Sequence, residues 1–590
     1  MRPIDILKGI IGEGAVVETH CSQVLITKKF VYKIKRPVYF GFLDYRELKQ
    51  RRACSVMEVE LNNRFSKDVY LGVFKIVQRE DKYALVELDN SLPAVEYVVK
   101  MRKIENYAFL TNILNQKYCN QNYLRGIGIL LARRLSMAEN APAEVDGMDP
   151  YELVRFNTLE NFDQLREIAP DMLDKRFRFV ENITRRFLKE NKDLFYLRHK
   201  SGFVKNGHGD LRLEHIFVEG LFGKSKGLVD GKDLEKVFSN FLDEVPPDIT
   251  KLDSEYLVLD NSRGVSMIDC IEFNRRFRTN DLLSEAAFLT MEMDQLGKHR
   301  FMPDCLMLGF FDYLSSINVD DKLKDFSLGR VVSIKNKDTG EIYYRTDKLS
   351  EESYSLLNFY RCYRAMVRAK VALLAYQNTE DEETKKIKLK EYNTLLDLAF
   401  AYSIAMLKIC GIAFCGMLAT GKSTHAARFA ERFCFGRFDS DRIRKVFAGN
   451  IAVSTVVPTG EGIYNEETSL QVYSIMGNTG KTSVSVGRAA VFDATFLNKK
   501  CLQRFETNFG SVPIYIKFTS DESVIKERLA ARSGGLSDGR LMHFDDLYPL
   551  SKELPADFEI DTTPGVLSDP IETIVDKLIE LLDVNIEAEL

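Results

Sequence analysis

The chain has 590 residues, more than one hydrophobic core usually organises, so two or more domains are expected. With 45% hydrophobic and 28% charged residues, its composition is ordinary for a folded protein and unlike that of a disordered one. The formal net charge of −4 argues against a protein whose main role is to coat nucleic acid, so no strong general nucleic-acid binding is expected.

The N-terminal segment carries early acidic residues, and no stretch of the sequence reaches the roughly eighteen apolar residues of a transmembrane helix. Ten cysteines are scattered without a C-x-x-C pair, which favours reduced thiols over disulfides or a zinc site. These features predict a cytoplasmic protein without a membrane partner, and they leave its oligomeric state open.

The first part of the chain, 1–105, is predicted to form a strand-rich small lobe with one helix. Residues 23–36, QVLITKKFVYKIKR, alternate apolar and polar side chains around a turn, as a β-hairpin does. Residues 45–65 have the spacing of a charged amphipathic helix. Further strands are predicted within 69–88 and 94–104.

The next part, 106–408, is predicted to be a helical large lobe, and it contains the stretch NGHGDLRLEHIF at 206–217. Two polar, turn-rich segments are predicted to be insertions, one near 218–256 and the other near 318–350. The second insertion has the pattern of a surface hairpin whose turn lies at 338–340. Both insertions are expected to lie near the functional site.

The last part, 409–590, alternates strands and helices in the βαβ manner and carries the sequence GMLATGKS. This sequence satisfies G-x-x-x-x-G-K-[ST] and lies between an apolar strand and a helix, as a phosphate-binding loop must. Lys422 would neutralise the β- and γ-phosphates of ATP, and Ser423 would ligate Mg²⁺. The predicted nucleotide-binding residues of this loop are Gly416, Met417, Leu418, Ala419, Thr420, Gly421, Lys422, Ser423 and Thr424.

Charged residues follow this loop in a definite order: Asp441 and Arg444 after a second predicted strand, Asp493 at the end of a third, and two arginines on a helix. This order resembles that of small P-loop kinases such as polynucleotide kinase, gluconate kinase and zeta toxin. The resemblance implies that Asp441 accepts the proton of the acceptor hydroxyl and that Arg444 binds the acceptor. It also implies that Arg528 and Arg532 grip the transferring phosphate, and Asp493 is expected to bind Mg²⁺.

The sequence HGDL around Asp210, followed by SMIDCIEF around Asp269, resembles the aminoglycoside phosphotransferase family, whose fold is that of the protein kinases. The resemblance implies that Asp210 orients the acceptor hydroxyl and accepts its proton. It also implies that Asp269 holds Mg²⁺ against the phosphates of ATP.

The strand FVYKIKRP and the helix segment MEVELNN offer the lysine–glutamate pair that this family implies. Lys33 is predicted to contact the α- and β-phosphates, and Lys35, which faces the same side of the strand, is the alternative. Glu58 is predicted to pair with that lysine, and Glu60 is the alternative partner.

One residue departs from the kinase pattern, because His215 stands where an oxygen ligand for Mg²⁺ is expected. Mg²⁺ prefers oxygen, and an imidazole nitrogen is a poor replacement. Three interpretations are open: His215 hydrogen-bonds beside a cation that Asp269 and water hold, Glu214 is the ligand instead, or this half of the chain binds nucleotide mainly to regulate the other half. His208 is expected to pack and to hold the loop in shape.

These resemblances predict an α+β protein-kinase-like N-terminal domain, with a strand-rich small lobe and a helical large lobe, followed by an α/β P-loop domain with a parallel sheet. The combination is similar to a bacterial two-domain family in which an aminoglycoside phosphotransferase-like domain precedes a P-loop kinase-like ATP-binding domain. The expected function is Mg²⁺-dependent transfer of the γ-phosphoryl group of ATP to a hydroxyl of a small-molecule or oligonucleotide acceptor, with two nucleotide sites. A nucleotide sensor and a nucleic-acid 5′-end kinase are the alternatives.

Overall fold

The computed structural model describes most of the chain. The residues outside the description are 1, 40–42, 117, 118, 120, 220–263, 298–301, 317–330, 336–341, 347, 408–410, 448–464, 532–543, 589 and 590. The first predicted insertion, near 218–256, therefore lies almost entirely outside the described residues. The same is true of the part of the second insertion that precedes residue 331.

Two compact units make up the chain, and each draws on segments that are distant in sequence. Unit 1 comprises Met1–Asn157, Lys192–Met293 and Phe301–Lys324. Unit 2 comprises Thr158–Asn191, Asp294–Arg300 and Asp325–Leu590. The domain limits predicted from the sequence, after residues 105 and 408, follow chain order and remain predictions.

A six-stranded antiparallel sheet in the order β1-β2-β3-β6-β4-β5 belongs to unit 1. Its strands are β1 (Ala15–Glu18), β2 (Ser22–Ile26), β3 (Phe30–Lys35), β4 (Tyr70–Arg79), β5 (Lys82–Glu87) and β6 (Ala94–Arg102). Because side chains alternate between the faces of a strand, Ile34, Ile76 and Val98 enter one core, which the helix Pro3–Ile11 completes. The helix Leu48–Asn63 packs against β4 and β6.

The remaining helices of unit 1 range from one turn to five turns in length. Those within the unit are Leu110–Ile113, Gln121–Ser136, Lys192–Lys200, Arg275–Arg278 and Met302–Ser316, and Pro150–Ile168 and Leu282–Leu296 begin in unit 1 and end in unit 2. Two short antiparallel strand pairs frame the loop that contains Asp210. They are β7 (Val204–Asn206) with β10 (Thr279–Asp281), and β8 (Ile216–Glu219) with β9 (Gly264–Met267). Since β8 follows Asp210 and β9 precedes Asp269, their pairing draws the two aspartates toward one site.

A five-stranded parallel sheet in the order β14-β15-β13-β16-β17 forms the centre of the C-terminal part of unit 2. Its strands are β13 (Gly411–Gly416), β14 (Gly436–Asp439), β15 (Ala490–Asp493), β16 (Ile514–Thr519) and β17 (Phe558–Asp561). The central strand, β13, is buried along its whole length, which explains its continuous apolar run. The predicted α/β domain with a parallel sheet is confirmed.

Helices surround this sheet and fill the rest of unit 2. They are Lys175–Glu190, Lys348–Gln377, Glu382–Met406, Lys422–Arg432, Ser440–Phe447, Glu466–Ser485, Lys499–Phe509, Glu522–Ala530, Phe544–Lys552 and Pro570–Ala588. The buried carboxylate of Asp397 forms ion pairs with Arg176 and with Arg432, whose Nε lies 2.8 Å from Asp397 Oδ2. This carboxylate therefore ties three helices of the unit together.

Strands β11 (Val331–Lys335) and β12 (Ile342–Thr346) pair antiparallel, which confirms the hairpin predicted in the second insertion. Its turn at 338–340 lies outside the described residues. Among the helices that the structure describes, none combines the length and the apolar character needed to cross a membrane.

The helices Gln121–Ser136 and Met302–Ser316 approach each other so closely that a side chain has no room at their contact. A Cβ on Gly128 would lie 2.0 Å from the carbonyl oxygen of Leu306. By contrast, no atom lies within 4 Å of a Cβ placed on Gly126 in the same helix.

We expect Gly128→Ala to lower the free energy of unfolding by about 1–3 kcal/mol, because the two helices must separate to admit the methyl group. Gly126→Ala is the matched control, and it should leave stability unchanged or raise it by up to about 1 kcal/mol, since Ala favours a helix over Gly. Chemical denaturation of both variants measures the difference. Equal effects of the two substitutions would contradict the close helix contact.

Candidate functional site

The phosphate-binding loop of unit 2 joins β13 to the helix Lys422–Arg432, and its backbone takes conformations that side chains resist. Gly416 has a φ of +139°, and a Cβ there would lie 2.5 Å from the carbonyl oxygen of Phe518. Gly421 has a φ of +84°, and Ala419 has a φ of +62°. These conformations let the loop curl so that backbone N–H groups and the positive end of the helix dipole can face one anion.

An oxygen pair suited to a divalent cation lies beside this loop. Ser423 Oγ donates a hydrogen bond of 3.0 Å to Asp493 Oδ1, and Asp493 ends β15 with a residue exposure of 2%. Mg²⁺ prefers hard oxygen ligands and commonly binds one or two carboxylates together with substrate phosphates. Lys422, whose ammonium group would face those phosphates, is also buried. The residues of this site therefore fit ATP and Mg²⁺.

A second carboxylate, that of Asp439, lies next to Asp493 and was not among the site residues predicted from the sequence. The Cα atoms of the two residues are register partners at the ends of β14 and β15. Arg437 Nη2 bridges the carboxylates, 2.7 Å from Asp439 Oδ2 and 2.7 Å from Asp493 Oδ2. Burial and the charge of Asp493 raise the pKa of Asp439 to about 6. The signal in the sequence was its place at the end of a strand beside the phosphate-binding loop.

The residues predicted to serve the acceptor lie on the helix that follows β14. Asp439 Oδ1 accepts hydrogen bonds of 3.0 Å from the backbone N–H groups of Asp441 and Arg442, so it caps this helix. Asp441 lies in the first turn of the helix. Arg444 is buried, and its Nη1 donates a hydrogen bond of 3.0 Å to Ser469 Oγ. The cap therefore links the helix of the predicted base to the carboxylate pair.

A cavity of about 440 Å³ opens beside the phosphate-binding loop. Its lining residues are Ala419, Gly421, Lys422, Ser423, Thr424, His425, Arg528, Asp561, Thr562, Thr563, Pro564, Gly565, Leu567 and Pro570. Arg528 is held in its wall, because Nη2 donates to the Thr562 carbonyl oxygen at 2.9 Å and Nη1 to the Ala419 carbonyl oxygen at 3.2 Å. The other predicted lid arginine, Arg532, lies outside the described residues.

In unit 1, Lys33 connects the strand, the helix and the second aspartate that the sequence predicts. Lys33 Nζ lies 2.9 Å from Glu58 Oε1 and 2.5 Å from Asp269 Oδ1. Glu58 is fully buried, whereas Glu60 is exposed on the other side of its helix. The structure thus brings Lys33, Glu58 and Asp269 together and leaves Glu60 outside the site.

Lys35 shares Glu58 with Lys33 but is more deeply buried. Its Nζ lies 2.7 Å from Glu58 Oε2 and also forms an ion pair with Glu272. The Lys33 side chain keeps 17% of its surface exposed and the Lys35 side chain only 2%. Burial alone would lower the pKa of Lys33, but the carboxylates of Asp269 and Glu58 outweigh it and raise that pKa well above its usual range. Lys33 is therefore the charged lysine that a ligand can reach.

Asp269 is held in an unusual backbone conformation, with a φ of +63°. Its backbone N–H donates to Tyr70 Oη at 3.0 Å, and the next N–H, that of Cys270, donates to Asn62 Oδ1 at 2.9 Å. Partial burial would raise the pKa of Asp269, but the Lys33 ammonium 2.5 Å from Oδ1 outweighs this effect and lowers that pKa. The lowered pKa favours the ionised carboxylate, which is the form that binds a cation.

The loop around Asp210 is held from inside by His208. His208 is fully buried, its Nε2 donates to the Ile268 carbonyl oxygen at 2.8 Å, and its Nδ1 accepts from the Asp210 N–H at 3.3 Å. Burial lowers the pKa of His208 to about 4. Glu285 Oε1 accepts from the N–H groups of His208 and Gly209, each at 2.8 Å. His208 therefore supports the loop that carries Asp210.

His215 lies between the two aspartates of this site. Its Nδ1 is 2.7 Å from the Asp210 carbonyl oxygen, and its Nε2 is 3.7 Å from Asp269 Oδ2. Nε2 is also 3.9 Å from Glu214 Oε1. Within the described part of the chain, no group of three or more His, Cys, Asp or Glu side chains is arranged to hold a metal ion by itself. A cation in unit 1 would therefore take some of its ligands from the phosphates of a nucleotide.

Comparison with known proteins agrees with the C-terminal motif. Residues 412–546 match the family model described as an AAA domain, which confirms the predicted P-loop domain. Uncharacterized proteins of Mycobacterium tuberculosis (strain ATCC 25618 / H37Rv) and Mycobacterium bovis are each 23% identical to this chain over 529 residues, which is 89% of this chain and 87% of the relative. That similarity covers most of the chain rather than the P-loop domain alone.

The solved structures similar to this chain include two kinds of kinase. An ethanolamine kinase of Plasmodium vivax is 11% identical with a TM-score of 0.33, and covers 65% of this chain and 81% of its own. A putative aminoglycoside phosphotransferase of Ralstonia eutropha is 10% identical with a TM-score of 0.30, and covers 68% and 98%. Shikimate kinase of Acinetobacter baumannii is 16% identical with a TM-score of 0.23, and covers 30% and 95%.

We expect the two lysines of unit 1 to respond differently when each is replaced by Met in a chain that also carries Lys422→Ala. Lys35→Met leaves Glu58 and Glu272 with an unmatched buried charge and should cost about 3–5 kcal/mol of unfolding free energy. Lys33→Met should cost less and should weaken ATP binding to unit 1. Chemical denaturation and calorimetric titration with ATP measure the two effects, and a reversed order would assign the nucleotide to Lys35.

We expect Asp439→Asn to remove a pH dependence of stability between about pH 4 and pH 6. The folded pKa of Asp439, about 6, lies above its usual value of 3.8, so the folded protein binds this proton more tightly. The stabilisation is complete below the usual pKa and is lost as pH rises through the folded pKa. Thermal unfolding across this range tests the variant, whose amide oxygen can still cap the helix. Parallel profiles of the two proteins would rule out the raised pKa.

Proposed function

We propose that this protein is a Mg²⁺-dependent ATP phosphotransferase with two nucleotide sites, which moves the γ-phosphoryl group to a hydroxyl of its acceptor. The observation that carries the proposal is the 3.0 Å contact between Ser423 Oγ and Asp493 Oδ1 beside a glycine-containing phosphate loop. A hydroxyl and a carboxylate in this arrangement are what Mg²⁺ bound to a nucleotide requires.

In unit 2, the residues of the chain would bind the nucleotide, orient the acceptor and take up its proton. Lys422 and the loop N–H groups would neutralise and hold the β- and γ-phosphates. Ser423 and Asp493 would hold Mg²⁺, which supplies further neutralisation of the phosphoryl oxygens when it is bound. Asp441 would accept the proton of the hydroxyl, and Arg444 would bind the acceptor. Positioning and charge neutralisation would then supply most of the rate enhancement.

In unit 1, a separate set of residues would do the same work. Lys33, held by Glu58 at 2.9 Å, would contact the α- and β-phosphates. Asp269 would hold a divalent cation, and Asp210 would orient the acceptor hydroxyl and accept its proton. His208 would keep the loop of Asp210 in place through its bonds to Ile268 and Asp210.

A second candidate is that unit 1 is a nucleotide sensor that regulates unit 2. The observation that favours it is the environment of Asp269, whose Oδ1 is bound by Lys33 at 2.5 Å and whose Oδ2 faces an imidazole nitrogen rather than an amide oxygen. A site that binds nucleotide tightly but positions the cation poorly would switch conformation without transferring a phosphoryl group.

The acceptor that we propose is a small hydroxylated metabolite, and a 5′-hydroxyl oligonucleotide is the alternative for unit 2. The acidic net charge of −4 lowers the expectation of a nucleic-acid acceptor. We also propose a cytoplasmic location, which the ten scattered cysteines without a C-x-x-C pair support.

We expect Lys422→Ala to lower ATP turnover at unit 2 by about 100-fold or more, because a single phosphate-neutralising group is worth that much. Asp210→Ala should remove the share of turnover due to unit 1, and Lys499→Ala, a change of an exposed lysine, is the control. ATP consumption is measured with a panel of hydroxylated metabolites and a 5′-hydroxyl oligonucleotide. If neither variant differs from the parent protein, the proposal is wrong. Tight ATP binding without any phosphorylated product would identify a sensor.

A further inference from the structure

We infer that unit 1 takes a divalent first-row transition-metal ion in preference to Mg²⁺, with His215 Nε2 and Asp269 Oδ2 as its protein ligands. The inference rests on the proposed function, because the phosphates of a nucleotide in unit 1 complete the coordination. His215, which replaces the oxygen ligand of the kinase pattern, would thus determine which cation this site prefers.

A backbone hydrogen bond determines which nitrogen of the His215 imidazole carries the hydrogen. His215 Nδ1 lies 2.7 Å from the backbone carbonyl oxygen of Asp210, which can only accept a hydrogen bond. Nδ1 therefore carries a hydrogen. In the neutral ring the lone pair then belongs to Nε2, and a histidine ligand commonly has its other ring nitrogen bonded to a backbone carbonyl in this way.

The orientation of the His215 imidazole is fixed by its neighbours. His215 has a residue exposure of 8%, and its ring stacks on that of His208 with centroids 5.9 Å apart and planes inclined by 30°. His208 is itself held by the carbonyl oxygen of Ile268 at 2.8 Å. The imidazole of His215 is therefore oriented before any ligand arrives, as a preorganised metal ligand must be.

The distance between the two proposed ligand atoms suits a single cation. His215 Nε2 lies 3.7 Å from Asp269 Oδ2. Two atoms that each lie about 2.1 Å from one cation are at most about 4.2 Å apart, so this separation allows both atoms to bind one ion. Lys33 occupies the other carboxylate oxygen, Oδ1, and leaves Oδ2 for the cation.

The competing ligand, Glu214, is already engaged. Its Oε1 forms an ion pair with Arg212, which also pairs with Glu292 at 2.7 Å. Moving Glu214 onto a cation would break that pair, whereas His215 needs no rearrangement. The oxygen ligand that Mg²⁺ would require is therefore less available than the nitrogen.

A ligand set of one nitrogen and one oxygen favours some cations over others. Mg²⁺ accepts imidazole poorly, while divalent ions of the first transition row bind mixed nitrogen and oxygen sites more tightly. A nitrogen at this place thus weakens Mg²⁺ relative to those ions. The cation site proposed for unit 2 would instead use two oxygens, Ser423 Oγ and Asp493 Oδ1.

The test uses the full chain with Lys422→Ala and Ser423→Ala, so that metal and nucleotide bind to unit 1 alone, and Mn²⁺ with a non-hydrolysable ATP analogue as the probe. Pulsed electron paramagnetic resonance should detect a ¹⁴N coupling to bound Mn²⁺, which His215→Asn abolishes and His199→Asn, a matched control in the same unit, retains. Incorporation of ¹⁵N-labelled histidine should convert the coupling to that of ¹⁵N, which tests the ligand without any substitution at His215.

Affinity provides an independent measurement. Mn²⁺ should support binding of the analogue with a dissociation constant at least about tenfold below that with Mg²⁺, and His215→Asn should reduce this ratio several-fold by restoring an oxygen ligand. Binding of Mn²⁺ and the analogue without a histidine nitrogen coupling would overturn the inference and leave the nucleotide site intact. Absence of analogue binding with every cation would instead refute the nucleotide site that we propose for unit 1.

Discussion

Each unit buries a carboxylate next to residues predicted to bind phosphate or cation, and the donors around that carboxylate make its burial stable. Glu58 is bound by Lys33 and Lys35, and Asp493 is bound by Ser423 and Arg437. A carboxylate removed from water costs several kcal/mol unless cations and hydrogen-bond donors surround it. These donors come from segments far apart in the chain, so folding of a unit and assembly of its site are the same event.

The two lysines of β3 have different roles: one stabilises the fold and the other is accessible to a ligand. Lys35 lies deeper, pairs with Glu58 and Glu272, and so fixes the helix and the segment that follows Asp269. Lys33 shares Glu58 but stays within reach of a ligand. Since both lysines face one side of the strand, a single buried glutamate can orient the two of them.

In unit 2, a chain of polar contacts joins the residues predicted to bind the cation to the helix that carries the predicted base. It runs from Ser423 through Asp493 and Arg437 to Asp439, whose other oxygen caps the helix of Asp441. Arg437 lies between two carboxylates on neighbouring strands and offsets part of their mutual repulsion. These contacts therefore connect Ser423, at the start of one helix, to the cap of the helix that carries Asp441.

The amino-acid sequence by itself determined the phosphate-binding loop and the parallel sheet around it, because glycine spacing and apolar runs act on neighbouring residues. Only the tertiary structure distinguished Glu58 from Glu60, revealed Asp439 and Arg437, and turned His215 Nε2 toward Asp269. Local backbone conformation depends mainly on residues that are neighbours in the sequence. Which side chain faces a partner more than two hundred positions away, as Lys33 faces Asp269, depends on how helices and strands pack, and no short stretch of sequence contains that information.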